Sequence, residues 1–310
     1  MRVFLAGASG AIGRPLVPRL VAAGHQVTGM TRREQGAAAI RAAGAEAAVC
    51  DVFDAEALSA AVAAARPELV VHQLTALPAK LDITEKGVYD ANNRIRTEGT
   101  RNLVAAAREA GARRMVAQSV CFIYEPVGGW VCDEEDPPMR DAPGEFGGSV
   151  KATLELERQV LESGLEGLIL RYGFFYGPGT GYASESHQAS EVRRRRFPIV
   201  GKGEGVFSFV HINDAAAATV AACERGASGI YNVCDDDPAP LREWLPAYAR
   251  AIGAKAPLRV PRLVARLVAG EGAVAFATTL RGASNAKAKG ELGWHPEHPS
   301  WRQGFAETLG

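Results

Sequence analysis

Residues 2–13, Arg2-Val3-Phe4-Leu5-Ala6-Gly7-Ala8-Ser9-Gly10-Ala11-Ile12-Gly13, carry the reading of the whole chain. The first five form a short apolar run expected to be a strand. Leu16, Val17, Leu20 and Val21 then recur at helical spacing as far as Gly24, so a helix follows. Between strand and helix lies Gly-x-x-Gly-x-x-Gly. Gly7 can make the tight turn off the strand, Gly10 lets backbone approach a pyrophosphate, and Gly13 lets the helix pack close to the sheet. The unpaired N–H groups at the helix start would hold the phosphates, with Ser9, Ala11 and Ile12 in the same turn. A strand, a three-glycine turn and a helix in this order predict a dinucleotide site.

Working outward, Gln26–Met30 is a second strand that runs into Thr31-Arg32-Arg33. No carboxylate stands there to accept from ribose hydroxyls. Arg32 and Arg33 suit a 2′-phosphate instead, so the expected cofactor is NADP(H) in preference to NAD(H). Residues 47–52 read as a third strand whose end, Asp51-Val52, could hold the adenine, and Asp54 caps the helix that begins near Ala55. Residues 69–76 read as a buried fourth strand, with Leu74, Thr75 and Ala76 passing the middle of the cofactor and His72 a core histidine. A helix is expected from about Tyr89 to Gly111 and a fifth strand over Arg114–Ser119. This rhythm predicts an α/β fold with a doubly wound parallel sheet built from right-handed βαβ units. Residues 125–146 read as a lid or binding loop, with Ser149 capping a helix from Val150 to about Ser163. A strand over Leu165–Leu170 then opens into the glycine- and aromatic-rich stretch Arg171–Gly179, which is expected to face a ligand. Asn213 or Asp214 should cap a helix over Ala215–Cys223, Tyr231-Asn232-Val233 is a last short strand, and residues 240–310 are mostly helical.

The bulk numbers exclude several classes. At 310 residues, 47% hydrophobic and 23% charged, the chain has the composition of a globular protein with a sizeable core. Lys+Arg 35 against Asp+Glu 35 provides no global field to draw in nucleic acid or an acidic membrane. No leader and no membrane-length apolar run is visible, so a cytoplasmic protein without membrane or nucleic-acid partners is expected. Cys50, Cys121, Cys132, Cys223 and Cys234 are scattered, as reduced thiols would be. Arg193–Arg196 read as a solvated helix end, with an anionic substrate the narrower reading. His295 and His298 lie between prolines with no third ligand in view, so no metal is expected.

Taken together, these stretches resemble the extended short-chain dehydrogenase/reductases, the nucleoside-diphosphate-sugar epimerase and dehydratase family. The matching pieces are Gly7–Gly13, Asp51-Val52, Val71-His72, Gly99-Thr100 with Asn102-Leu103, Ser119–Tyr124, Leu170–Gly179 and Phe209–Asp214. The resemblance implies a Rossmann-type domain over residues 1–171, rejoined by about 206–233, and a smaller C-terminal substrate lobe over 172–310. It places Tyr172 beside the nicotinamide and implies a homodimer of paired helices. Family chemistry rests on Tyr-x-x-x-Lys plus a serine or threonine: the lysine holds the nicotinamide ribose and the tyrosine passes the proton. Lys151 matches the lysine. Gly147 occupies the tyrosine position, Val120 the usual hydroxyl position with Ser119 one residue early, and Arg96 the position of an asparagine. The catalytic candidates are therefore Lys151, Ser119 and Tyr124, with Tyr176 a further hydroxyl. Phe122, Phe174, Phe175 and Tyr176 suggest an apolar pocket. The expected function is NADP(H)-dependent oxidoreduction of a small apolar or aromatic carbonyl or enone substrate. The alternatives are a non-catalytic NADP(H) sensor, a non-redox isomerase or cyclase, and a sugar-nucleotide epimerase or dehydratase.

Overall fold

In the computed structural model, residues 1–78, 80 and 85–309 are described. Strand β1 (Arg2–Ala6) is buried at its last four positions, as an apolar run between two neighbours must be. It pairs in parallel with β2 (Gln26–Thr31) on one side and β4 (Leu69–His72) on the other. The remaining sheet members are β3 (Glu46–Val49), β5 (Arg114–Val120), β7 (Glu166–Tyr172) and β12 (Gly229–Val233), in the order β12-β7-β5-β4-β1-β2-β3. All pairings in this sheet are parallel. Strand order reverses between β1 and β4, so the crevice at their carboxyl ends is where a ligand is received.

Helices cover both faces: α1 (Gly13–Ala22), α2 (Glu34–Ala42), α3 (Ala55–Ala65), α4 (Asp90–Arg94), α5 (Thr100–Glu109), α6 (Glu145–Leu161) and α8 (Ile212–Glu224). Asp54 caps α3 by accepting from the Ala57 N–H at 3.0 Å. The C-terminal part is held by β8 (Phe174–Tyr176), which pairs with β11 (Phe209–His211), and by α7 (His187–Arg193), α9 (Leu241–Ala251), α10 (Arg262–Thr279), α11 (Ala286–Leu292) and α12 (Trp301–Thr308). Its core gathers Phe207, Phe209, Trp244, Tyr248, Trp301 and Phe305, separate from the sheet's two cores. No helix among the described residues is long and apolar enough to cross a membrane.

Several local expectations are corrected. The fourth strand stops at His72, and residues 73–76 run on as irregular chain. The helix expected over 89–111 is interrupted by a π-turn at Ile95–Gly99, between α4 and α5. Helix α6 starts five residues earlier than expected: Gly144, at φ +64°, turns the chain into it, and Ser149 lies buried inside rather than at its cap. At α8 the cap is His211, whose Nδ1 accepts from the Asn213 N–H at 3.3 Å. Asp214 binds the C-terminal loop instead, accepting from the backbone N–H groups of Glu297 and His298 and from His298 Nδ1, each at 3.0 Å. His211, Asp214 and His298 thus converge within 4.8 Å, a grouping invisible from His298 alone. Because three N–H groups already occupy the Asp214 carboxylate, the cluster serves as a clasp.

Candidate dinucleotide and catalytic site

The glycine turn fits a dinucleotide on steric grounds. Gly7 sits at φ +92°, and a Cβ there would strike the Gln73 carbonyl oxygen across the crevice. A Cβ at Gly13 would strike the Gly7 carbonyl oxygen. Helix α1 begins with no side-chain cap; Arg14 N–H is taken by the Gly10 carbonyl at 3.1 Å and Pro15 has none, which leaves the N–H groups of Ala11, Ile12 and Gly13 for anionic oxygens. A cavity of about 390 Å³ opens there, walled by Ser9, Gly10, Ala11, Arg14, Gly179 and Asn213. Ile12 is buried behind it. At the end of β2, Ser9 Oγ and Thr31 Oγ1 share a hydrogen bond of 3.0 Å. Asp51 accepts from the Phe53 N–H at 3.0 Å, and Asn102 Nδ2 donates to the Val52 carbonyl at 2.9 Å, fixing the adenine-side corner. Leu74 N–H donates to His72 Nδ1, and Ala76 N–H to Asn92 Oδ1 at 3.0 Å, so residues 74–76 are held from below.

The catalytic candidates are not brought together. Lys151 is exposed on α6. Ser119, by contrast, is 1% exposed, and its Oγ donates to Glu157 Oε1 at 2.6 Å. Glu157 also accepts two bonds from Arg171, at 2.8 and 2.7 Å, with both side chains buried. The Tyr124 hydroxyl donates to Asn232 Oδ1 at 2.7 Å, beneath the Arg171 guanidinium, and burial pushes its ionisation far up. Both hydroxyls are therefore spent within the scaffold. Tyr172 is equally buried, sharing a 2.7 Å hydrogen bond with Thr219 Oγ1 and accepting from Gln73 Nε2 at 3.2 Å. Tyr176 is fully buried in the lobe core against Phe209, His211 and Phe305, and Phe175 packs on Tyr172.

Two of the expected pocket aromatics do meet each other. Phe122 and Phe174 stack with centroids 4.3 Å apart. Phe146 from α6 and Phe276 from α10 join them, at 6.3 Å from Phe122 and 5.8 Å from Phe174 respectively, and Tyr89 lies edge-on to Phe146 at 6.4 Å. All five are only partly buried, so this cluster, the aromatic cage below, keeps ring surface that another flat ring could meet. Sequence reading missed Phe276, Phe146 and Tyr89 as members. Phe146 was detectable from its place beside the tyrosine position; Phe276 carries no local signal.

At the tyrosine position the neighbouring backbone leaves no room. A Cβ on Gly147 would strike the Ala142 carbonyl oxygen, so no side chain fits. Glycine-to-alanine changes inside helices ordinarily stabilise by up to about 1 kcal/mol. Gly147→Ala is expected instead to destabilise by about 1–3 kcal/mol in urea denaturation, the range for overpacking.

The arginine tetrad is absorbed by the lobe. Arg193 donates to the Ser184 and Ile252 carbonyls, Arg194 pairs with Glu191, and Arg195 donates to the Ala256 carbonyl. All five cysteines are free and buried. His72 bonds Thr100 Oγ1 at 3.0 Å, and burial followed by the Arg96 charge pushes its pKa down from 6.5 to about 4. Burial, then His298, does the same to His211. Because these folded-state values lie below the unfolded one, their stabilisation is complete above pH 6.5 and is lost as pH falls towards 4. Chemical denaturation at pH 7 and pH 4.5 is expected to differ by a few kcal/mol, on the order of 1.4 per pKa unit for each histidine.

The family model for the NAD-dependent epimerase/dehydratase family matches residues 3–234. The chain belongs to this family. Across 307 residues it is 49% identical to a Streptomyces sp. protein named 3-diazoavenalumate denitrifying reductase, covering 98% of this chain and 99% of the relative. The Thermus thermophilus UDP-glucose 4-epimerase solved with NAD is 26% identical, with a TM-score of 0.75 and coverage of 100% and 98%. The Thermotoga maritima UDP-glucose 4-epimerase solved with UDP-glucose has a TM-score of 0.77 at 21% identity, covering 100% and 97%.

These relatives correct two expectations. The Thermus thermophilus epimerase at 26% identity was solved with NAD, as were several further structures of the same fold, so the preference for NADP(H) is withdrawn. The structure offers a reason: Arg32 and Arg33 are exposed, and among the described residues nothing organises them into a phosphate clamp. The NADP(H) oxidoreductase of apolar carbonyl or enone substrates falls with it. Two relatives at 26–27% identity, from Thermus thermophilus and Mycolicibacterium smegmatis, are named UDP-glucose 4-epimerase, which favours the sugar-nucleotide alternative over that reading.

Proposed function

We propose that this chain is an NAD(H)-dependent reductase that replaces the diazo group of an aromatic diazo compound with hydrogen. The observation that carries this reading is Gly147: the family's proton-passing tyrosine is absent and its place is closed to any side chain. Reduction of an alcohol–ketone pair needs a proton at oxygen. When bound, the reduced dinucleotide supplies a hydride, and an aryl diazonium takes it up without a proton, Ar–N2⁺ + H⁻ → Ar–H + N2. The name of the 49% identical relative, a diazo-compound denitrifying reductase, supports the substrate class. The cage of Phe122, Phe146, Phe174 and Phe276 supports a flat ring. In this reading Lys151 holds the ribose of the dinucleotide, and the cage excludes water and lays the ring flat. Residues 1–171 and about 206–233 carry the dinucleotide, and the rest of 172–310 mainly the substrate. A homodimer belongs to the same proposal and is read by light scattering.

The test is anaerobic turnover of benzenediazonium with NADH, following absorbance and gas release together. One N2 per NADH consumed, dependent on the protein, is the expected result. The second reading, epimerisation of a nucleotide sugar, is favoured by relatives solved with UDP-sugars and NAD. It predicts conversion of UDP-glucose to UDP-galactose and no N2 release.

A further inference from the structure

Arg96 is a buried cation that makes no close ion pair among the described residues. It retains 9% of its surface and sits on the π-turn Ile95–Gly99, a local widening that re-aims side chains and recurs at functional sites. Only Nη1 donates among the described residues, to Ser149 Oγ at 2.8 Å and the Ser149 carbonyl at 3.3 Å. A guanidinium has five N–H donors, so those of Nε and Nη2 are unassigned. Glu157, the buried carboxylate whose charge reaches Arg96, is filled by Ser119 and Arg171. A buried charge left unpaired is costly unless something completes it.

Its position says what that is. Ser149 lies one turn beyond Phe146 on the same face of α6, and Tyr89, edge-on to Phe146 at 6.4 Å, is close enough to Arg96 for the guanidinium charge to act on its hydroxyl. We propose that Arg96 binds an anionic oxygen of the substrate at the base of this cage, and so selects arenes that carry one. The inference rests on the aromatic-substrate reading above. A diazonium group is itself cationic, so an anionic oxygen on the ring offsets its repulsion by Arg96, and benzenediazonium, which has none, is expected to be turned over more weakly than a ring that carries one.

Equilibrium binding tests this without turnover. Calorimetry on the NAD-loaded protein uses benzoate for a carboxylate, 4-nitrophenolate at pH 8.5 for a ring oxyanion, and methyl benzoate and 4-nitroanisole as neutral counterparts. At least one anion is expected to bind about ten-fold more tightly than its neutral counterpart, and which one identifies the oxygen recognised. Arg96→Asn removes that advantage and leaves the neutral arenes unchanged, whereas Arg96→Lys retains part of it. Equal binding of anions and neutral arenes by the wild type overturns the proposal. So does equal weakening of all four in Arg96→Asn with a lowered melting temperature, the mark of a purely structural role. Failure of N2 release with anion selectivity intact overturns the reductase reading alone.

Discussion

Replacing Glu157 with alanine is expected to cost about 3–5 kcal/mol of folding stability, the range for removing one partner of a buried ion pair. Glu157 accepts from Ser119 and twice from Arg171, with 5% and 3% of the two side chains exposed. Its loss leaves the Arg171 cation buried with only the Tyr124 ring near it, and strips Ser119 of its acceptor. For a chain of this size the melting temperature should fall by roughly 10 °C. Urea denaturation of wild type, Glu157→Gln and Glu157→Ala measures it, with the glutamine variant intermediate because it retains an acceptor for Ser119. A loss under about 1 kcal/mol would mean that the pair is not sealed from water.

The second large effect falls on activity. Lys151→Ala is expected to lower kcat/KM by about 10²–10⁴, the range for losing a group that positions a reactant or assists its proton chemistry. Stability should barely change, because Lys151 is exposed and makes no hydrogen bond among the described residues. Dinucleotide affinity should weaken in parallel, as expected of a ribose anchor, and Lys151→Arg should recover part of both. A three-fold effect or less would remove Lys151 from the site. The two variants separate scaffold from chemistry, because the first is expected to change folding and the second turnover.

The fold was legible where sterics act locally. Gly7 and Gly13 have no room for a Cβ, and apolar strands alternate with helices, so the parallel sheet follows from the sequence. The missing tyrosine was equally plain at Gly147. Its cause was not, because the obstructing Ala142 carbonyl belongs to a loop whose path no local pattern sets. Ser119 looked available until Glu157 and Arg171, 38 and 52 residues away, were folded against it. Ser149 resembled a cap only because its partner, Arg96, lies 53 residues upstream. One miss was avoidable: side chains alternate along a strand, so Phe174 and Phe175 cannot face one pocket. In the structure Phe174 joins the cage while Phe175 packs on Tyr172. The cofactor preference failed for another reason. Exposed arginines at a strand end read alike whether or not they bind phosphate.

The most direct test of the account is isotopic. NADH deuterated at nicotinamide C4 is incubated anaerobically with the protein and benzenediazonium, and the benzene formed is examined by mass spectrometry. One deuterium per benzene from one face of the dinucleotide, in ordinary water and with one N2 released, is the predicted result. Benzene carrying only solvent hydrogen, or no benzene alongside turnover of UDP-glucose, would contradict it.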